Sequence, residues 1–457
     1  MTGISGQRPP LGLISTAIGA AIAVAVMDGV MIAVALPFMA RDLDVSASSI
    51  ILIVSAYQLA IAMLILPMSA IAALFGLKRA YLMCIALLGV ASLFCAVAPS
   101  LEFLIVARIV QGMGGAGITA LTNALLRQLY PPDRLIRALG INTAVAATAL
   151  SAGPSIAAFM ISLLSWHWLF LVNVPVVIFA FAAGARWLSD GDRRTRQLGV
   201  PGMVLSMLAT GATVVAFNLL AQGAWLPWIV SATVLAICGW LLFSAQQQHS
   251  SRPLLHTSLL RTPAIWPSLA VYFFAAFAQT GAYISIPFLL NAKGYSPAQI
   301  GLFFSAWPIA ILVIGPVSAR LCRRYNFGLL AGVGMFATGA GLAGLAGLAL
   351  ISDPSVYLVA GLIAFSGMGY GFYQIPNTQA LLSVVPISDT SDVTAMGALS
   401  RALGQASGAA AVALAMRVLD TYATSCVLLL GAMLVMFAGI ASWKRGAIAS
   451  GLAKDLV

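Results

Sequence analysis

Charge is the scarcest commodity in this sequence. Only 8% of its 457 residues are Asp, Glu, Lys or Arg, against roughly 25% in a water-soluble domain. With 61% apolar residues and a mean hydropathy of +1.02, the chain has too little polar surface to face water. The bilayer must be the main solvent of the folded state. Acids are scarcer than bases, 12 against 23, for a net charge of +11. That excess does not point to nucleic acid, because no basic stripe interleaved with aromatics occurs. The five cysteines, Cys84, Cys95, Cys238, Cys322 and Cys426, lie in or beside apolar runs without metal-ligand spacing, so they read as small packing residues and no metal site is expected. Also missing are a phosphate-cradling Gly-rich loop, a His-Glu-x-x-His pair and a nucleophile elbow. Their absence argues against an enzyme. No soluble segment is large enough for ATP hydrolysis or for a receptor's signalling domain.

What the chain does have is length in its apolar runs. A membrane helix needs roughly 20 mostly apolar residues, and such runs cover 13–38, 49–74, 80–99, 102–126, 138–163, 168–189, 200–221, 226–245, 266–290, 298–320, 328–351, 355–384, 394–417 and 422–443. An all-α polytopic membrane protein with fourteen transmembrane helices is predicted. The first run is too long for a signal-peptide core and lacks a cleavage site, so it is expected to stay as a span. Placing the N-terminus in the cytoplasm puts eighteen of the 23 Lys and Arg residues on inside segments. Three, Arg41, Lys293 and Arg417, fall outside, and two, Arg108 and Arg401, fall within spans. Basic residues favour cytoplasmic loops, so both termini are predicted inside.

The chain also repeats itself. Ala35-Leu36-Pro37-Phe38-Met39, followed by Ser46 and Ile50, corresponds at an offset of 250 to Ser285-Ile286-Pro287-Phe288-Leu289, followed by Ser296 and Ile300. Gly112-Met113-Gly114 corresponds to Gly367-Met368-Gly369. The expected organisation is a short cytoplasmic N-terminus (1–12), a six-helix half (13–189), a two-helix insertion (190–264), a second six-helix half (265–443) and a cytoplasmic tail (444–457). Parallel repeats of this kind build transporters whose substrate site lies between the halves.

Five stretches resemble the major facilitator superfamily, specifically its fourteen-span drug:proton antiporter branch. They are Met27-Asp28 through Val34-Ala35-Leu36-Pro37, the loop from Ser69 to Arg79, Arg108-Ile109-Val110-Gln111-Gly112 with Gly114 and Ala116, the fifth-span Gly140, Gly153 and Pro154, and Trp166-His167-Trp168 with Phe170, Asn173 and Pro175. Ala73 stands where members usually carry Asp, and Ala149, Ala157 and Ala158 replace glycines. The resemblance implies the major facilitator fold, a cell (cytoplasmic or inner) membrane location and multidrug efflux. A small-molecule substrate and protons would be the partners, the proton gradient would supply the energy, and no cofactor is expected. Nothing in the sequence assigns an oligomeric state.

Intramembrane charges are rare and functional, and Asp28 is the only acid well inside a span. It lies about 15 Å from the outer end of the first span, and Arg108 about 10 Å from that of the fourth. Asp28 is therefore the expected proton carrier and Arg108 its modulator, with a cationic lipophilic substrate displacing the proton. Gln111 shares the Arg108 face. Tyr370, Tyr373, Gln374 and Asn377 form one stripe, and Tyr272, Gln279 and Tyr283 another. With Tyr57, Gln58 and Trp307 they are the candidate substrate lining, an aromatic cavity suited to flat cations. Gly112, Gly153 and Pro154 are expected to shape helix packing, and Lys78, Arg79 and Arg401 to serve gating or structure. Asp389 and Asp392 are the acidic candidates near Arg401. His167 reads as an interface anchor. The alternatives are proton-coupled movement of an anionic metabolite, for which Arg401 leaves room, and a non-transporting receptor.

Overall fold

The computed structural model describes residues 11–188, 199–250, 254–386, 389–419 and 422–454. Arg8, Arg193, Arg194, Arg196 and Arg252, part of the predicted inside charge, lie outside them, as do residues 1–10 and 455–457 of the predicted cytoplasmic ends. Every regular element among the described residues is helical. Hydrocarbon supplies no hydrogen-bond partners, so a spanning backbone must pair within its own segment.

The first run becomes α1 (Leu11–Asp42), whose 32 residues reach about 48 Å. The second is not one helix. It divides into α2 (Ala47–Ile50), α3 (Leu52–Leu64) and α4 (Pro67–Phe75); the break before α4 falls at Pro67, which lacks an N–H and whose ring crowds the carbonyl four residues back. Next come α5 (Leu77–Ala96), α6 (Leu101–Leu129) and α7 (Pro132–Leu163). The sixth run also breaks at Val172, into α8 (Trp168–Leu171) and α9 (Asn173–Trp187); Pro175 lies three residues on, and its ring crowds the Leu171 carbonyl four residues back. The remaining helices are α10 (Val200–Gln222), α11 (Leu226–His249), α12 (Trp266–Ala292), α13 (Pro297–Leu321), α14 (Phe327–Gly347), α15 (Val356–Leu382), α16 (Thr390–Val418) and α17 (Ala423–Lys454).

Among the described residues, thirteen helices are long and apolar enough to cross a membrane. The fourteenth predicted span, 394–417, is the helix α16, long enough at 29 residues. It is too rich in Gly, Ala, Ser and polar residues, Arg401 and Gln405 among them, to match the apolarity of the rest. Small residues are what a helix needs when it is surrounded by others, because they let backbones approach closely.

The repeat reappears in the packing. The pairs α1–α7, α1–α9, α3–α6, α5–α6 and α5–α9 recur as α12–α16, α12–α17, α13–α15, α14–α15 and α14–α17. Ser46 and Ser296 each cap the N–H three residues on, and Ile50 and Ile300 are both fully buried. Gly112 closes on the Tyr57 carbonyl and Gly367 on the Trp307 carbonyl, a like contact 250 residues along the partner helix. The two sets meet through α7 on α13, α3 on α16 and α1 on α12. There the bare Cα of Gly301 faces the Pro154 carbonyl, and Ser155 and Ser305 share a 2.8 Å hydrogen bond. The hairpin of α10 and α11 turns at Gly223 (φ +62°) and lays α10 against α3 and α16. Arg417 donates to the Gln222 carbonyl at 2.5 Å, and Gln222 donates to the Ser48 carbonyl at 3.4 Å. The hairpin thus touches both sets.

Candidate functional site

Polar side chains in an apolar bundle must find one another, since an unpaired polar group in hydrocarbon is costly. Asp28, halfway along α1, has found three donors. Arg108 of α6 forms an ion pair with its Oδ2. Its Oδ1 accepts from Gln111 of α6 at 3.0 Å and from Asn173 of α9 at 3.1 Å. Gln111 accepts from Arg108 at 2.6 Å and gives its other amide proton to Ser92 of α5 at 2.9 Å. The Arg108 Nε donates to the Ile53 carbonyl at 3.4 Å. Asp28, Arg108, Gln111 and Asn173 are each 1% exposed or less.

Backbone contacts hold this cluster in place. Gly112, next to Gln111, brings α6 so close to α3 that a Cβ would lie 2.6 Å from the Tyr57 carbonyl oxygen. One turn away, a Cβ on Gly115 would lie 2.5 Å from the Tyr57 hydroxyl. These two glycines seat the Tyr57 ring under the guanidinium, whose carbon stands 4.3 Å from the ring centroid, and the hydroxyl donates to the Ala25 carbonyl at 3.3 Å. Phe170 lies on another side at 5.9 Å. A charge pair so placed is desolvated, so its attraction and its hydrogen bonds must offset a penalty of several kcal/mol per ion.

A second cluster lies in α12, α13 and α15. Tyr370 donates to Gln279 at 2.7 Å, and Gln279 donates to Tyr283 at 3.4 Å. Tyr283 meets Phe304 and Trp307 edge-on at 4.9 and 5.6 Å, Tyr370 lies 6.1 Å from Trp307, and Tyr373 meets Tyr370 at 5.0 Å. Trp307 is fully buried, and its Nε1 has no acceptor among the described residues. Aromatic edges and faces, with one open donor, suit flat lipophilic molecules. At the repeat offset of 250, Ala278 stands where the first set has Asp28. The buried acid therefore belongs to one set of helices, and its counterpart position in the other set is apolar.

The other sequence candidates distribute as follows. Gln111 does not line a cavity, because both its amide hydrogens and its oxygen are engaged inside the Asp28 cluster. Asn377 leaves the aromatic stripe and donates to the Ser268 carbonyl of α12 at 3.1 Å. Tyr272 pairs with Thr378 at 2.7 Å, and its ring lies 4.9 Å from the Arg401 guanidinium. Gln374 is half-buried, as is Gln58, whose Oε1 has no donor among the described residues. Lys78 and Arg79 begin α5, just after Gly76 at φ +87°. Among the described residues neither has an ion-pair partner. Gly153 lies 3.2 Å, at its would-be Cβ, from the Met27 side chain, and Pro154 meets α13 as described. Asp392 does not pair with Arg401. It accepts instead from the His256 backbone N–H at 2.8 Å and contacts the His256 ring at 2.5 Å. His167 stacks on Trp166 with ring centroids 3.6 Å apart, and Trp166 donates to Asp42 at 2.6 Å. Among the described residues no group of three His, Cys, Asp or Glu side chains could hold a metal.

A sequence profile of the Major Facilitator Superfamily matches residues 18–411. The chain belongs to this superfamily. It is 35% identical to the uncharacterized transporter YebQ of Escherichia coli K12, over 93% of each chain. It is 28% identical to the methylenomycin A resistance protein of Streptomyces coelicolor, over 89% of this chain and 86% of that one. It is 27% identical to the multidrug resistance protein Stp of Mycobacterium tuberculosis, over 87% and 74%. A crystal structure of a POT family transporter with 5-aminolevulinic acid superposes with a TM-score of 0.72 over 96% of both chains at 16% identity, which shows a shared fold. As a major facilitator, the chain is a multi-pass membrane transporter and not an enzyme.

Sequence reasoning missed Ser92 and the role of Asn173, which it singled out only as part of a signature. Ser92 carries no signal, since serines are tolerated in apolar helices. Asn173 did carry one, as a polar amide at the start of an apolar run.

Proposed function

We propose that this major facilitator exports small lipophilic compounds in exchange for protons, with Asp28 as the exchanging carboxylate. The observation that carries this reading is a buried carboxylate bound by Arg108, Gln111 and Asn173 from two other helices. Protonating Asp28 removes the partner charge of Arg108. The guanidinium is not then bare, because the Gln111 oxygen, the Ile53 carbonyl and the Tyr57 face remain. A proton can thus enter at the cost of one ion pair and loosen α1 from α6. The aromatic cluster of α12, α13 and α15 supplies the lipophilic contact on the opposite side of the α1–α12 seam. The six-helix units 13–189 and 265–443 are the bodies that rock, the 190–264 insertion rides on their seam, and both termini face the cytoplasm, as the basic loops favour. The resistance names of the relatives support export of toxic compounds.

The cationic preference expected from the lone acid meets an obstacle, since both Asp28 oxygens are already taken. A cation reaches Asp28 only by displacing Arg108. The test is efflux of lipophilic dyes from proteoliposomes under an imposed pH gradient, with internal pH followed by a trapped indicator. Gradient-driven efflux with matching proton entry, lost in Asp28→Asn, is expected. Coupled efflux that persists in Asp28→Asn would remove Asp28 from the mechanism.

A further inference from the structure

Arg401 is a charge within α16 that has no ion-pair partner among the described residues. It stands eleven residues into α16, about 16 Å along the helix. Asp28 is committed to Arg108 and Asp392 to His256. Among the described residues no carboxylate forms an ion pair with Arg401. Its guanidinium lies over the Tyr272 ring, 4.9 Å from the centroid.

The position on the helix matters. Gly397, Gly404 and Gly408 press one face of α16 onto Tyr272, Phe273 and Phe277 of α12. Ala402 and Ala406 pack with Ala62 of α3 and Val214 of α10. At 3.6 residues per turn, Arg401 falls between these two faces, toward the seam of the two helix sets. Its side chain remains exposed there, whereas Tyr272 beneath it is buried. The same α12 face carries Gln279 and Tyr283, and through them reaches Tyr370 and Trp307. In this region the indole N–H of Trp307 has no acceptor among the described residues. Lone intramembrane guanidiniums pair with acids or carbonyls, and a planar guanidinium matches a carboxylate two-pronged.

We propose that Arg401 receives an acidic group of the substrate, a carboxylate or an ionised phenol, while Tyr272, Tyr283, Trp307 and Tyr370 hold its aromatic body. The substrates are then lipophilic weak acids or zwitterions rather than simple cations. This rests on the export reading above and sharpens its substrate class.

The test uses the purified full chain in phosphatidylcholine vesicles and three probes with one ring system: anthracene-9-carboxylate, anthracene-9-methanol and anthracene-9-methylammonium. Binding is followed by quenching of tryptophan fluorescence. The carboxylate is expected to bind about tenfold or more tighter than the other two, the worth of one charged hydrogen-bonded pair. Arg401→Gln should erase that ratio, and Arg401→Lys, which keeps the charge, should retain part of it. A tighter fit for the ammonium, or a ratio that survives Arg401→Gln, overturns the proposal. So does a lack of carboxylate preference in phosphatidylcholine together with displacement of the probes by phosphatidylglycerol, which would assign Arg401 to a lipid headgroup. Gradient-driven efflux of the uncharged alcohol by the wild-type chain separates the two levels. Efflux without carboxylate preference sinks the acid anchor alone, whereas no response to the gradient sinks the export reading.

Discussion

The Asp28–Arg108 pair can be weighed by a double-mutant cycle. Removing one partner of a buried ion pair costs about 3–5 kcal/mol, because the other charge is left uncompensated. Asp28→Asn leaves Arg108 with the Gln111 oxygen at 2.6 Å, the Ile53 carbonyl and the Tyr57 face, so its cost should fall near the lower end, about 3 kcal/mol. Arg108→Gln leaves Asp28 with two amide donors, Gln111 and Asn173, and a similar cost of about 3 kcal/mol is expected. The double variant holds no buried charge at this site and should be far more stable than the sum, with a coupling energy of roughly 2–3 kcal/mol. The assay is denaturant or thermal unfolding of the purified transporter in one detergent, followed by tryptophan fluorescence. Additive losses, with coupling below about 0.5 kcal/mol, would refute the claim that these two charges hold each other in the folded state.

Further expectations follow from the same contacts. Gly112→Ala forces a Cβ to 2.6 Å from a backbone oxygen and should destabilise by about 1–3 kcal/mol. Gly153→Ala meets the Met27 Cγ at 3.2 Å and its other neighbours only at ordinary contact distance, and should cost less than about 1 kcal/mol in the same unfolding assay. Asn173→Ala strips one charged hydrogen bond from Asp28 and should cost roughly 1.5–3 kcal/mol. The pH profile of efflux should shift with it; an unchanged profile would make Asn173 structural only. At the helix end outside the spans, burial holds the His167 imidazole below its ordinary pKa, partly countered by Asp42. The folded state therefore binds the proton less readily than the unfolded one. Stability from this residue is present above the ordinary histidine value of about 6.5 and is lost as pH falls through it. His167→Gln should flatten that slope in unfolding curves measured across this range.

Legibility varied with the kind of residue. The Asp28–Arg108 contact could be read ahead because two lone charges at similar depth in hydrocarbon have few other partners. The tyrosines of α12 and α15 shared faces by simple helical spacing, and Tyr370, Gln279 and Tyr283 do meet. Gln111 and Asn377 sat on the expected faces but turned to partners inside the fold. Spacing along one helix says which way a side chain points and not which neighbour crosses there. Arg401 is the sharpest case, since sequence proximity suggested Asp389 and Asp392, and Asp392 is held instead by a histidine 136 residues away.

The amino-acid sequence on its own determined a helical membrane protein with a twofold internal repeat, a superfamily signature and one intramembrane acid. Those properties depend on apolar run lengths, offsets and the rarity of charge, all of which lie along the chain. Only the tertiary structure decided that Asn173 and Ser92 complete the Asp28 cluster, that two runs break into shorter helices, and that Arg401 has no ion-pair partner among the described residues. Such outcomes depend on how helices cross and how closely glycines such as Gly112 let them approach, which is settled by packing between distant segments.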